Sequence, residues 1–347
     1  MLKLGIIGAT GYVGEEIVRL LARRKDIEIT TVVSNTFEGK PYSSVYPSLR
    51  GIFDKVCEKL DIEKIAEKAD FFITALPHSV SGEVVPYLIS KGKRVIDHSG
   101  DFRFRDVSVY EKWYKTTHLA PQLTKDAVYG LPELYRDKIK NARLVADPGC
   151  YPTCSILGIA PALVNKLVSK KGIIIDAVSG VSGAGRKSEL AYSFCETAGN
   201  FKAYGVCNHR HTPEIEQELS LLADEEVLVS FTPHLAPMKR GMLATCYLDL
   251  VASGITTEEI RDIYFDYYRN EPFVRVLPAG EMPETKNVAG SNFADIGVMV
   301  DQRLNKLIVV SAIDNLGKGS SGQAVQALNI MAGFNETEGL ITPGLYI

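Results

Sequence analysis

The sequence predicts an α/β protein in two parts: an N-terminal doubly wound parallel (Rossmann) sheet, then an α+β domain on a mixed or antiparallel sheet. Three observations carry this. The 347 residues are long for one domain and fit about two. Up to residue 148 short apolar runs alternate with helix-like stretches, as a parallel sheet requires. From Gly172 onward apolar runs succeed one another with fewer helices between them.

Each element of the first part can be read in turn. Leu2 to Ile7 is a buried strand. It opens into Gly8-Ala-Thr-Gly-Tyr-Val-Gly14 and a helix-like stretch from Glu15 to Arg24. Glycine turns between a first strand and first helix let a backbone approach a pyrophosphate, with helix N–H groups facing the anion. Gly8, Thr10, Gly11, Tyr12, Val13 and Gly14 are therefore candidate cofactor residues. A second strand, Glu28 to Ser34, ends in Ser34-Asn35-Thr36. An NAD site usually places a carboxylate there for the ribose 2′-hydroxyl. Ser34 tolerates a 2′-phosphate instead, which favours NADP. Phe37 to Asp54 reads as loop, Ile62 to Lys68 as helix, and Asp70 to Leu76 as a strand ending at Pro77, on the expected ligand crevice. Ser81 to Lys91 is the next helix and Arg94 to His98 the next strand. Arg103 follows, a residue suited to bidentate phosphate contacts. Residues 105–134 read as aromatic-rich and irregular. Arg143 to Asp147 returns as a strand and delivers Pro148-Gly149-Cys150.

A helix is expected from Ser155 to Val168, with Cys150 near its N-terminus. The helix dipole and first-turn N–H groups favour thiolate there. The plain alternative is a small residue in a tight turn. Gly172 to Ser179 is a strand leading into Ser179-Gly-Val-Ser-Gly-Ala-Gly-Arg-Lys187. Ser182 and Gly183 let backbone approach a ligand, with Arg186 and Lys187 adding positive charge. Thr212 is expected to cap a helix with Pro213 at its first position. His209 and His211 precede it and compete as proton carriers, with Arg210 between them. Strands at 227–232, 242–251, 294–300 and 306–313 and a helix at 255–268 complete the domain. A glycine loop, Asp314 to Gln323, leads to a last helix at 324–331.

The formal net charge of −3 argues against a nucleic-acid or anionic-membrane partner. No apolar run approaches the roughly 18 residues of a membrane span. The start of the chain resembles neither a signal nor a transit peptide, so a cytoplasmic location is expected. The six cysteines contain no Cys-x-x-Cys pair. Cys150 and Cys154 would need a second ligand pair to hold zinc. His209 and His211 are the sole candidates, and no metal is expected.

A nicotinamide cofactor together with a nucleophilic cysteine implies chemistry between the acyl and aldehyde levels. A thiolate converts an activated acyl group to a thioester, which accepts hydride as a carboxylate does not. A histidine can move the proton and arginines can hold a leaving phosphate. A short-chain type reductase would instead need Tyr-x-x-x-Lys, and Tyr110 to Tyr114 lacks that spacing. A non-catalytic NADP sensor is the third possibility.

Six segments together resemble the N-acetyl-gamma-glutamyl-phosphate reductase family, relatives of aspartate-semialdehyde dehydrogenase. They are Gly8–Gly14, Ser99–Arg103, Pro148–Thr153, Ser179–Arg186, His209–Glu214 and Asp314–Gly319. The resemblance spans essentially the whole chain and implies NADPH-dependent reduction of N-acetyl-L-glutamyl 5-phosphate to the 5-semialdehyde, releasing inorganic phosphate, in arginine biosynthesis. It implies Cys150 as nucleophile, His209 rather than His211 as acid/base, and Glu214 beside them. Arg103 is implied as phosphate ligand, Arg186 and Arg210 as further anion contacts, and Asn315 as the holder of the nicotinamide amide. It also implies a homodimer or homotetramer joined through the second domain. The expected domains are then 1–148 plus 318–347, with the last helix returning, and 149–317. Gly100 stands where relatives often have alanine. A sister enzyme of the aminoadipate route to lysine takes a substrate one methylene longer, and no motif here separates the two.

Overall fold

The structure, a computed structural model, describes every residue except Lys187 and Ile347. The chain forms two compact units. One is Met1–Pro148 with Ser320–Ile341; the other is Gly149–Gly319 with the residues from Thr342.

The first unit holds six strands: β1 (Leu2–Ile7), β2 (Ile27–Val33), β3 (Phe71–Thr74), β4 (Arg94–Asp97), β5 (Val128–Tyr129) and β6 (Leu144–Ala146). Their order is β2-β1-β3-β4-β6-β5, and every pairing is parallel. The strands read as continuous apolar runs because a parallel sheet is covered on both faces; Leu4, Ile6 and Ile7 of β1 are fully buried. The chain leaves β1 for β2 on one side and resumes at β3 on the other. That reversal puts the ligand crevice at the carboxyl ends of β1 and β3. Gly8 sits there with φ +84°, and a Cβ on it would stand 2.2 Å from the Ala75 carbonyl oxygen. Only glycine fits that approach.

The 105–134 stretch is more regular than expected. Asp106 caps a helix, Val107–Tyr114, through the Ser108 N–H at 2.8 Å, and Pro132 opens another, Pro132–Asn141. Aromatic content masked both, since Tyr110 is buried and donates its hydroxyl to Asp101 at 2.8 Å. The last helix, Gly322–Ala332, is buried from Gly322 to Met331. Arg24 ties it to this unit by donating to the Asn329 side chain at 3.0 Å. The chain from Thr342 departs from the expected 318–347 stretch. It runs with the second unit, where the Leu345 N–H donates to the Ala289 carbonyl at 2.7 Å.

The second unit carries a mixed seven-stranded sheet. Its strands are β7 (Ile173–Ser179), β8 (Lys202–Ala203), β9 (Val229–Leu235), β10 (Met242–Asp249), β11 (Val274–Val276), β12 (Ala294–Asp301) and β13 (Lys306–Ile313). They run β11-β12-β13-β10-β7-β9-β8. Most pairs are antiparallel, while β7–β9 and β11–β12 are parallel. Alternate residues of β10, such as Ala244 and Cys246, are buried, and this strand packs on the helix Cys150–Val164.

That helix begins five residues earlier than the expected Ser155 and ends four before Val168. Pro152 falls in the first turn, where proline is tolerated because its missing N–H has no partner to lose. Cys150 is therefore the first helical residue, and from Tyr151 to Leu163 every side chain is buried. Pro161, deeper in the helix, deprives the Leu157 carbonyl of its usual donor. The Tyr268 hydroxyl supplies one at 2.6 Å, and Tyr264 donates to the neighbouring Gly158 carbonyl at 2.8 Å. Both tyrosines belong to the helix Thr257–Tyr268, which starts with a Thr256/Glu259 capping box. The helix Thr212–Ala223 includes Thr212 rather than being capped by it; His211 occupies the N-cap position. Among the described residues no helix is long and apolar enough to cross a membrane.

Candidate active site

Cys150 opens its helix half-buried. The Gly149 N–H just before it donates to the Glu214 carboxylate at 2.8 Å. Glu214 is fully buried in the first turn of the helix Thr212–Ala223. Glu214 thus fixes the peptide that presents the thiol. Cys154, one turn along, is different. It is fully buried, its thiol donates to the Ser311 carbonyl at 3.3 Å, and burial pushes it up to about 12. Two cysteines of one helix therefore divide into a presented thiol and a structural one. Among the described residues no cluster of His, Cys, Asp and Glu could hold a metal ion.

His209 lies in an aromatic box. The rings of Tyr151, Tyr204 and Phe231 each have their centres 5.5 Å from its own. The Tyr204 hydroxyl donates to Tyr151, which donates to the His234 carbonyl. Burial among these rings, aided by the charge of exposed Arg210, lowers His209 to about 4. Its Nδ1 accepts the His211 N–H at 3.1 Å. An accepting Nδ1 leaves the proton of the neutral ring on Nε2. The sequence reading found both histidines but missed the box. The signal available was the aromatic set itself, with Tyr151 next to the cysteine and Tyr204 five residues before His209.

The glycine loops of this unit are joined. Asn315 accepts the Gly241 N–H on Oδ1 at 2.8 Å and donates from Nδ2 to the Ser182 hydroxyl at 2.9 Å. Asn315 is thus the link between three loops. Gly183 lies beside it on the 3₁₀ turn Val181–Ala184. Asp314, fully buried, pairs with Arg240 at 2.8 Å. Arg186 is exposed, and its expected neighbour in charge, Lys187, lies outside the described residues. Gly319 lies close to Cys150: a Cβ there would stand 2.9 Å from Cys150 Cβ and 3.1 Å from the Asp314 carbonyl oxygen. Gly319→Ala should displace the thiol and cut turnover by on the order of 10²-fold, with the melting temperature nearly kept. Wild-type turnover in that variant would mean the contact does not set the thiol's position.

In the first unit, Thr10 and Ser34 meet hydroxyl to hydroxyl at 2.6 Å. Gly11 caps the helix Tyr12–Leu21, and Gly14 is buried against Ala9. Tyr12 is exposed and Val13 half-buried in the first turn. Pro77 is exposed beyond β3. Glu58, whose backbone pairs with this end of β2, has its carboxylate on Thr31 and Lys68. The 2′ end of the crevice is thus lined by hydroxyls, which suits a phosphate. Arg103 is buried and donates through Nε to the Asp147 carbonyl at 2.8 Å and through Nη2 to the His98 carbonyl at 2.9 Å.

Comparison with known proteins adds to this geometry. Residues 3–142 match the NAD binding domain of semialdehyde dehydrogenases, and residues 150–315 match their dimerisation domain. The N-acetyl-gamma-glutamyl-phosphate reductase of Acetivibrio thermocellus is 62% identical over 347 residues, 100% of both chains. Those of Desulforamulus reducens and Geobacter sulfurreducens are each 55% identical, over 100% and 98% of both chains respectively. Among solved structures, aspartate semialdehyde dehydrogenase II of Vibrio cholerae aligns with a TM-score of 0.74 at 18% identity, over 96% of this chain and 98% of that one. The aspartate semialdehyde dehydrogenase of Candida albicans with NADP gives 0.71 at 17%, over 96% and 98%. These two share the fold.

Proposed function

The chain belongs to the N-acetyl-gamma-glutamyl-phosphate reductase family of semialdehyde dehydrogenases, and we propose that it reduces N-acetyl-L-glutamyl 5-phosphate to N-acetyl-L-glutamate 5-semialdehyde with NADPH, in arginine biosynthesis. One observation carries the mechanism. Cys150 is presented on the first turn of a buried helix through the Gly149–Glu214 bond, in the unit that also holds the His209 imidazole with its proton on Nε2.

The Cys150 sulfur attacks the acyl carbon. A C–S bond forms, the C–O bond to phosphorus breaks, and the electron pair leaves with inorganic phosphate. Arg103 receives the phosphate oxygens, its guanidinium pre-set by two backbone carbonyls. Arg186 and Arg210, both exposed, add positive charge for the substrate's anionic groups. NADPH, when bound along the Gly8–Gly14 turn with its 2′-phosphate at Thr10 and Ser34, supplies the hydride to the thioester carbon. In each addition the carbonyl oxygen gains charge, and the His209 Nε2–H donates to it. A neutral ring stabilises that charge by hydrogen bonding, without becoming an imidazolium. When the carbonyl re-forms, the C–S bond breaks and Cys150 returns as thiolate. Asn315 donates to Ser182 and lies beside Gly183, and these residues would hold the nicotinamide amide. The enzyme acts in the cytoplasm as a homodimer or homotetramer joined through its second unit, a reading supported by the dimerisation-domain match.

The test is a steady-state comparison in the oxidative direction, with inorganic phosphate and NADP. N-acetylglutamate semialdehyde should exceed N-acetylaminoadipate semialdehyde in kcat/KM by about 10- to 200-fold, the discrimination one methylene allows. A preference for the longer aldehyde would move the enzyme to the lysine route.

A further inference from the structure

Two of the carbonyls that receive Arg103 belong to residues whose side chains also meet. His98 follows β4 and Asp147 follows β6, at the carboxyl ends of adjacent parallel strands. Their carbonyls grip the Arg103 guanidinium. Their side chains also meet, with His98 Nδ1 3.0 Å from Asp147 Oδ2. The backbone fixes them as well: the His98 N–H donates to the Thr74 carbonyl and the Asp147 N–H to the Asp97 carbonyl.

The side-chain contact is enclosed. Asp147 is fully buried and the His98 side chain is 7% exposed. The Ser320 hydroxyl lies 3.4 Å from the same His98 Nδ1. The contact with Asp147 is close but poorly aligned for a hydrogen bond, and among the described residues neither carboxylate oxygen has a hydrogen-bond partner. The His98 imidazole is the group seen against that carboxylate, and a buried carboxylate is stabilised by a neighbour that offers it a proton or positive charge. Removing the imidazole would release the carboxylate, and with it the Asp147 backbone on which Arg103 Nε rests.

We infer that the His98–Asp147 contact is a positioning device for Arg103, locking together the two carbonyls that aim its guanidinium at an anion. The inference rests on the reading of Arg103 as phosphate ligand. His98 and Asp147 are positioning residues, and neither touches substrate. Their effect should appear in phosphate affinity and not in cofactor affinity.

The experiment uses the full-length enzyme with inorganic phosphate as probe. Calorimetric phosphate titration is run on the wild type and on His98→Leu, His98→Gln and His98→Asn, beside the KM for phosphate in the oxidative direction. Asn keeps an N–H near the Nδ1 position, whereas Leu and Gln do not. Leu and Gln should weaken phosphate binding roughly tenfold or more, the scale of a hydrogen bond to a charged group, and raise its KM alike. NADP affinity should stay within about twofold, and Asn should restore most of the loss. Should Leu fail to fold, Gln and Asn still decide the matter. Unchanged phosphate affinity in Gln, or equal losses in Gln and Asn, overturns the inference. Failure of the functional reading looks different: the wild type would show no phosphate-dependent turnover of the aldehyde, while the titration would still report on the pair.

Discussion

Replacing Cys150 by serine should abolish turnover, lowering the rate by on the order of 10⁴-fold or below detection, while NADPH affinity stays within a few-fold. Serine preserves shape but removes the only atom able to form the thioester. Cys154 cannot take over. It lies one turn further along the same helix, but it is sealed from solvent, bonded to Ser311, and held near 12 by burial. The residues proposed to bind the cofactor, Gly8, Thr10 and Ser34, belong to the other unit, so binding followed by fluorescence should survive. Mass spectrometry should detect an acyl adduct on Cys150 in the wild type and none in the variant. Retained turnover in Cys150→Ser would falsify the thioester route and revive a direct carbonyl reduction.

For His209→Asn the expected loss is about 10²–10⁴-fold in rate. The structure sharpens what the ring does. Its Nδ1 is occupied by the His211 N–H, and desolvation in the aromatic box holds the ring at about 4. Near neutral pH it is an uncharged donor from Nε2. Glutamine can place an N–H near that atom and asparagine cannot, so His209→Gln should retain roughly tenfold more activity than His209→Asn. The rate should show no His209 ionisation between pH 5 and 8. Stability follows the same sign. The folded-state value lies below the ordinary 6.5, so between about 6.5 and 4 the unfolded chain binds the extra proton and stability rises with pH. That slope should be shallower in His209→Asn. Wild-type activity in this variant would transfer the role to His211.

The sequence was most legible where chemistry demands particular residues in particular places. The Gly8–Gly14 turn, the Pro-Gly-Cys segment and His209–Glu214 all stood out because glycine, proline, cysteine and histidine have few substitutes. Glu214 was expected near the site, but its bond to the Gly149 N–H joins residues 65 apart, and no local pattern encodes that. The helix start at Cys150, five residues before the expected Ser155, was hidden for a related reason. Proline signals both a break and a first helical turn, and which applies depends on where the helix starts. The aromatic box was hidden because Tyr151, Tyr204 and Phe231 are the side chains any core would use. His98 passed as the end of a strand. Its meaning lies in Asp147, which reaches it only when β4 and β6 align.

The tyrosines beneath the nucleophile's helix bear on synthesis. Leu157 and Gly158 receive their hydroxyl donors from residues 111 and 106 positions later. A nascent chain released just past Glu214 already contains Cys150, His209, Glu214 and Arg103. It lacks Tyr264 and Tyr268, and the strand β13 on which the Cys150–Val164 helix packs. A helix with a proline at 161 and no external donor is poorly supported in water. The reactive thiol should therefore reach its working position only as the ribosome finishes the chain, and shortened products would carry the residues of the site without the site.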